Sequence, residues 1–150
     1  MKKIVLGEKF NNQKFDFRET CFGICVNEGK ILLTHKTNKN EIALPGGGIE
    51  NNETHLACLK REFQEETGYA IDCVEEFITI DCYWLAGGKW PMQSLANVYI
   101  VKVKKNSNPT EEFCQPKWVD INTATDLLQL PYQKKALEIY LNNNFYNTTI

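Results

Sequence analysis

Three consecutive glycines at 46–48 divide stretches of opposite hydrophobic period, and that switch most constrains what this chain can fold into. Upstream, residues 20–26 and 31–34 are β-prone, and Asn27-Glu28-Gly29-Lys30 between them supplies a turn, so a β-hairpin is expected. Downstream, Leu56, Leu59 and Phe63 recur at helical spacing. Asn51 or Asn52 offers an N-cap and Gly68 a C-terminal stop, which predicts a helix from about Glu53 to Thr67.

Residues 69–84 and 93–104 read as two long strands joined by a loop over 85–92 with two glycines and Pro91. Trp118-Val119 is a short strand. Residues 126–130, then Pro131 at a helix start, predict a closing helix that ends in Asn142-Asn143-Asn144. The order strands, helix, strands, helix defines an α/β chain. With 150 residues, 43% of them hydrophobic, and no repeat or Gly/Ser/Pro-rich linker, one domain over 1–150 is expected. A chain this long buries roughly 70% of its unfolded surface, so any metal serves chemistry and not folding.

Charge and cysteine usage exclude several classes. Seventeen Lys and Arg against 19 Asp and Glu leave a net charge of -2, which argues against a general clamp on nucleic acid. The six cysteines form no CxxC pair and the two histidines, His35 and His55, lack metal-ligand spacing, so free, mostly buried thiols and structural or solvated histidines are expected. No apolar run approaches membrane-spanning length and the first residues lack a secretory core. The expected setting is cytoplasmic, with reduced thiols and no membrane partner.

The chemistry concentrates in the helix. Five of the 14 glutamates fall between Glu50 and Glu66, and Glu62, Glu65 and Glu66 stand at i, i+3 and i+4, on one face. Like charges at this spacing destabilise a helix by a few tenths of a kcal/mol per pair, and no basic residue follows within a turn. A solvated acidic face has the same pattern. Mg²⁺ would neutralise it, because it takes hard oxygen ligands and is typically shared between carboxylates and substrate phosphates.

The longer string decides between these. From Gly47 the chain reads five residues, Glu53, seven residues, then Arg61-Glu62-Phe63-Gln64-Glu65-Glu66-Thr67-Gly68-Tyr69. This resembles the box of the Nudix hydrolase family at every fixed position. A chance match to its seven fixed residues has a probability of about one in a million for a chain this long. The resemblance implies a Nudix fold, an α/β/α sandwich with a mixed β-sheet. It implies Glu62, Glu65 and Glu66 as metal ligands, with the Gly46 carbonyl as a further oxygen, Mg²⁺ as cofactor and Mn²⁺ as a substitute. Arg61 would orient a ligating carboxylate, and Glu53 would support the loop and the reacting water. A later loop glutamate serves many members as ligand or general base; Glu112, six positions ahead of Trp118, is the candidate here, with Glu111 its close competitor.

The reaction implied is attack of water on a phosphorus of a nucleoside diphosphate linked to a group X. A nucleoside triphosphate, giving monophosphate and pyrophosphate, is the leading expectation. Sugar-linked or dinucleoside diphosphates, ADP-ribose among them, are the alternative, and a nucleotide-sensing module without turnover is a third reading. Trp84, Trp90 and Tyr83 flank the loop after the box as possible stacking partners for a base, and Gln133 stands where family members that sanitise oxidised guanine nucleotides place an Asn that reads the base. The small-molecule nucleotide is the expected partner, and a monomer or a homodimer the expected assembly.

Overall fold

The computed structural model describes residues 1–10 and 12–148. Nine strands and three helices are assigned there, β1 Lys2–Leu6, β2 Asp16–Ile24, β3 Val26–Asn27, β4 Lys30–Lys36, β5 Glu41–Ala43, β6 Gly46–Gly48, α1 His55–Thr67, β7 Tyr69–Ala86, β8 Trp90–Lys105, β9 Cys114–Asp120, α2 Ile121–Leu127 and α3 Pro131–Thr148.

Five strands form a mixed sheet in the order β1-β7-β8-β2-β6; β1 runs parallel to β7 and β2 parallel to β8, whereas β7/β8 and β2/β6 are antiparallel. A smaller antiparallel sheet is centred on β4, which pairs β3 and β5 along one edge and β9 along the other. The expected hairpin therefore exists only as β3 and β4. The chain breaks at Cys25, so β2 is spent on the large sheet and the segments expected to be partners lie in different sheets.

Side-chain alternation along β2 assigns the layers. Phe22 and Ile24 join Ile80, Ala96 and Val98 in the core cluster beneath α3, with Ala136 and Leu137 above them. Cys21 and Cys25 face the other way and join Leu59, Phe63 and Val101 beneath α1. The mixed sheet thus lies between α1 and α3, as an α/β/α sandwich requires. All six cysteines are free and only Cys73 is exposed.

Four local expectations are corrected. Helix α1 begins later, because Asn51 and Asn52 adopt left-handed φ angles of 44° and 59° in a turn; Thr54 is the N-cap, its hydroxyl accepting from the Ala57 amide at 3.1 Å. Leu56 is 44% exposed, so only Leu59 and Phe63 of the expected stripe reach the core. The loop over 85–92 shrinks to residues 87–89, since Trp90 and Pro91 pair with Ala86 and Leu85 on the outer ends of β7 and β8. Helix α3 runs through Asn142-Asn143-Asn144 to Thr148. Gly68 does close α1, with φ 75° and its amide donating to Phe63 and Gln64 carbonyls.

Candidate active site

The turn into α1 brings β6 against the helix. Gly46, at φ 143°, packs its α-carbon against the Cys21 carbonyl and Phe22, where a β-carbon has no room. A β-carbon on Gly47 would meet the Glu62 carboxylate at 2.5 Å. Small residues here let two acidic side chains of α1 lie directly on the backbone of β6.

Glu66 is 1% exposed, and its Oε1 accepts the Gly46 amide at 2.7 Å while Oε2 lies 3.5 Å from Lys36 Nζ. Burial pushes its carboxyl up to about 8; the Gly46 amide and the Lys36 ammonium pull the other way, and Glu62 and Glu111 add to the rise. Burial also raises Glu62, against the opposing pull of Arg61.

Arg61 organises the other carboxylates. Its Nη2 and Nε donate to both oxygens of Glu53 at 2.6 and 3.1 Å, Nη1 donates to Glu62 at 2.9 Å and Glu65 at 3.3 Å, and Nη2 also reaches the Gly48 carbonyl at 3.1 Å. The guanidinium beside it holds the Glu53 carboxyl at about 2, helped by the Glu50 amide. Glu53, Arg61, Glu62 and Glu65, brought together by the sequence pattern, are one hydrogen-bonded group.

The loop before β9 completes the cluster with Glu111. Its amide and that of Thr110 donate to the Glu65 carbonyl at 2.8 and 3.0 Å, satisfying an acceptor in the last turn of α1. Carboxylate oxygens of Glu62, Glu65 and Glu111 lie within 4.8 Å of one another, and Glu66, Glu111 and Cys114 form a second such group. Glu112 belongs to neither: the chain turns at Phe113, φ 64°, and Glu112 is exposed. The structure therefore gathers Glu111 where Glu112 was the sequence candidate.

This donor set fits a hard divalent cation. One guanidinium faces Glu53, Glu62 and Glu65, leaving negative charge uncompensated, and burial keeps the Cys114 thiol protonated with a pKa of about 11, so the available donors are oxygens.

A cleft of about 180 Å³ adjoins the cluster through Lys36, Gly46 and Gly47. Its far wall includes Trp84 and Gln133, from β7 and the start of α3, so these two sequence candidates share one cavity. Gln133 is completely buried; its Oε1 accepts the Leu44 amide at 2.8 Å and its Nε2 has no partner among the described residues. Trp84 is pinned, with Nε1 donating to Ser94 Oγ at 2.9 Å and its ring edge-on to Tyr132. Trp90 is 67% exposed on the outer hairpin and does not line the cleft. Tyr83, adjacent to Trp84 on a strand, points to the opposite face and packs edge-on against Phe15.

Both histidines are engaged elsewhere, His35 with Asn40 at 3.1 Å and His55 with Tyr99 at 2.6 Å and Glu19 at 3.2 Å. A larger cavity of about 500 Å³, lined by Tyr69 and Trp118, contains no carboxylate. Lys36, which sequence reasoning missed, has no local signal; it stands in β4, in the smaller sheet, and meets Glu66 of α1 only in the folded chain.

The family model of the NUDIX domain matches residues 18–141, a span that holds the glycine strand, α1 and the carboxylate cluster. The chain belongs to the NUDIX family. It is 23% identical to Nudix hydrolase 13, mitochondrial, of Arabidopsis thaliana over 93% of its length and 69% of that protein's. It is 29% identical to Nudix hydrolase 21, chloroplastic, of the same plant over 77% of its length and 58% of that protein's, so it spans under two thirds of this relative. A NUDIX hydrolase from Nitrosomonas europaea shares the fold, with TM-score 0.69 at 18% identity over 84% of this chain and 89% of that one. The chain thus carries a hydrolase domain of the class that acts on pyrophosphate bonds.

Proposed function

We propose that this protein hydrolyses nucleoside triphosphates, in a reaction dependent on Mg²⁺ or Mn²⁺, to monophosphate and pyrophosphate. The observation that carries the reading is the convergence of Glu62, Glu65 and Glu111 within 4.8 Å beside a cleft that ends at Gln133. In this reading Glu62, Glu65, Glu66 and the Gly46 carbonyl hold the cation, which when bound neutralises phosphate charge and activates water.

Arg61 keeps Glu62 and Glu65 oriented, and Glu53 in turn fixes the guanidinium. Glu111, held on a loop above α1, is placed to take the proton from the attacking water. Lys36, paired with Glu66, adds positive charge where an anionic substrate enters.

The cleft volume of about 180 Å³ suits a base ring and not a whole nucleotide, which leaves the phosphates over Gly46 and Gly47. The Leu44 amide occupies the Gln133 carbonyl, so the group left for a ligand is the NH₂, a donor. A base with a ring carbonyl at that edge is favoured over one with an amino group.

The test is metal-dependent product release across deoxynucleoside and ribonucleoside triphosphates, ADP-ribose, nucleotide sugars and dinucleoside polyphosphates. Triphosphates, led by those with oxo bases, are expected to give the highest kcat/KM. Preference for ADP-ribose or another sugar diphosphate would replace the substrate assignment, and binding without turnover of any compound would make the chain a sensing module.

A further inference from the structure

The chain has two arginines, in opposite circumstances. Arg61 is surrounded by Glu50, Glu53, Glu62 and Glu65. Arg18, on β2, is exposed, and among the described residues no carboxylate lies within 4.0 Å of it. Its guanidinium lies along β6: a β-carbon on Gly48 would stand 3.1 Å from both Nε and Nη2. One residue earlier on that strand, a β-carbon on Gly47 would meet Glu62. Arg18 and the carboxylate cluster therefore flank the same strip of glycine backbone.

The surroundings have a net sign. Arg18, Lys36 and Lys39 line the cleft against a single carboxylate, Glu41, and Lys36 is already committed to Glu66. Arg18 also borders a second hollow of about 450 Å³ beyond Gly48, edged by Asn51, Asn52 and Glu19, whose carboxylate is taken up by His55 and Asn97. A ligand that leaves the cleft across the glycine strand passes the guanidinium on its way to that hollow. A planar fork with five donors and no carboxylate partner among the described residues matches the oxygens of a phosphate, whereas a neutral sugar offers it no charge.

We infer that Arg18 receives a phosphate of the substrate beyond those at the carboxylate cluster, so that the substrate is a polyphosphate and its leaving group is anionic. This rests on the reading of the chain as a nucleotide pyrophosphohydrolase. Arg18 is a positioning residue for that anion and takes no part in bond breaking.

The experiment titrates inorganic tripolyphosphate, in the presence of Ca²⁺, into the wild-type protein, Arg18→Gln and Arg18→Lys by calorimetry, and sets kinetics on a triphosphate and on ADP-ribose beside it. Losing a charge-assisted contact weakens tripolyphosphate binding about tenfold or more in Arg18→Gln, with Arg18→Lys between the two. The ratio of kcat/KM on the triphosphate to that on ADP-ribose falls by a similar factor, through KM. Equal tripolyphosphate affinity in wild type and Arg18→Gln overturns the assignment, as does an equal loss on both substrates. If no compound is turned over yet tripolyphosphate binding still depends on Arg18, the hydrolase reading fails and the anion site stands.

Discussion

Arg61 holds both oxygens of the Glu53 carboxylate, Nη2 to Oε1 at 2.6 Å and Nε to Oε2 at 3.1 Å, across the turn that joins β6 to α1. The same guanidinium reaches Glu62, Glu65 and the Gly48 carbonyl, so one side chain ties the turn, the helix and the glycine strand together. Its loss would remove the cation among three carboxylates and the donor to a backbone acceptor at once.

Arg61→Ala is therefore expected to destabilise the protein by more than an ordinary surface change, because the half-buried guanidinium bonds three carboxylates and a backbone carbonyl. Arg61→Lys restores the charge without the fork and recovers only part of the loss. Urea unfolding of both variants checks this, and an Ala variant within 0.5 kcal/mol of wild type, the range of an ordinary surface change, would contradict it.

Glu111 and Glu112 separate by function if position decides. Glu111→Gln should lower kcat about a hundredfold or more, the usual contribution of a general base, and Glu112→Gln should change it less than twofold. Single-turnover rates at saturating Mg²⁺ distinguish them. The reverse pattern would return the role to the residue that spacing alone had favoured.

The pH dependence of stability has a sign set by Glu66. Its carboxyl rises from an ordinary 4.5 to about 8 in the fold, so the neutral form favours folding, and metal-free stability is lost as pH climbs from about 4.5 through 8. Glu53, held at about 2, acts oppositely and only below 4.5, where falling pH removes its contribution. Melting of the metal-free protein should peak near pH 5. A cation at a hundred times its dissociation constant adds about 2.7 kcal/mol, and its apparent affinity grows with pH as Glu66 ionises. Calorimetry at several pH values with and without Mg²⁺ measures both; metal-free stability that increases from pH 5 to 8 would refute the buried acid.

Gln133 is expected to serve structure and selectivity together. Gln133→Ala strands the Leu44 amide and costs about 1 to 3 kcal/mol. Gln133→Glu keeps an acceptor for Leu44 and presents an oxygen to the cleft, which should shift preference several-fold from oxo bases toward amino bases. Thermal melts and kcat/KM for inosine and adenosine triphosphates read the two effects separately.

How much of this was legible follows the range of the interactions. Helix α1 and its stop at Gly68 are local, and 3.6-residue periodicity places Glu62, Glu65 and Glu66 on one face without any tertiary knowledge. The N-cap slipped from Asn51 or Asn52 to Thr54 because all three are capping residues and only backbone geometry ranks them. Gly46–Gly48 form a strand that nothing in the local sequence signals, since their partner β2 lies more than twenty residues upstream.

The sequence by itself determined the family, the acidic helix face and the Arg61 partnership, all of which lie within 23 consecutive residues whose spacing sets their geometry. Tertiary structure alone decided that Glu111 and not Glu112 joins the cluster, that Lys36 meets Glu66, that Gln133 is anchored by Leu44 and that Trp90 faces solvent. Each of those outcomes depends on which strand pairs with which and on how a loop docks on a helix end. Such pairings are set by the summed burial of distant segments, and a short stretch of sequence does not contain that sum.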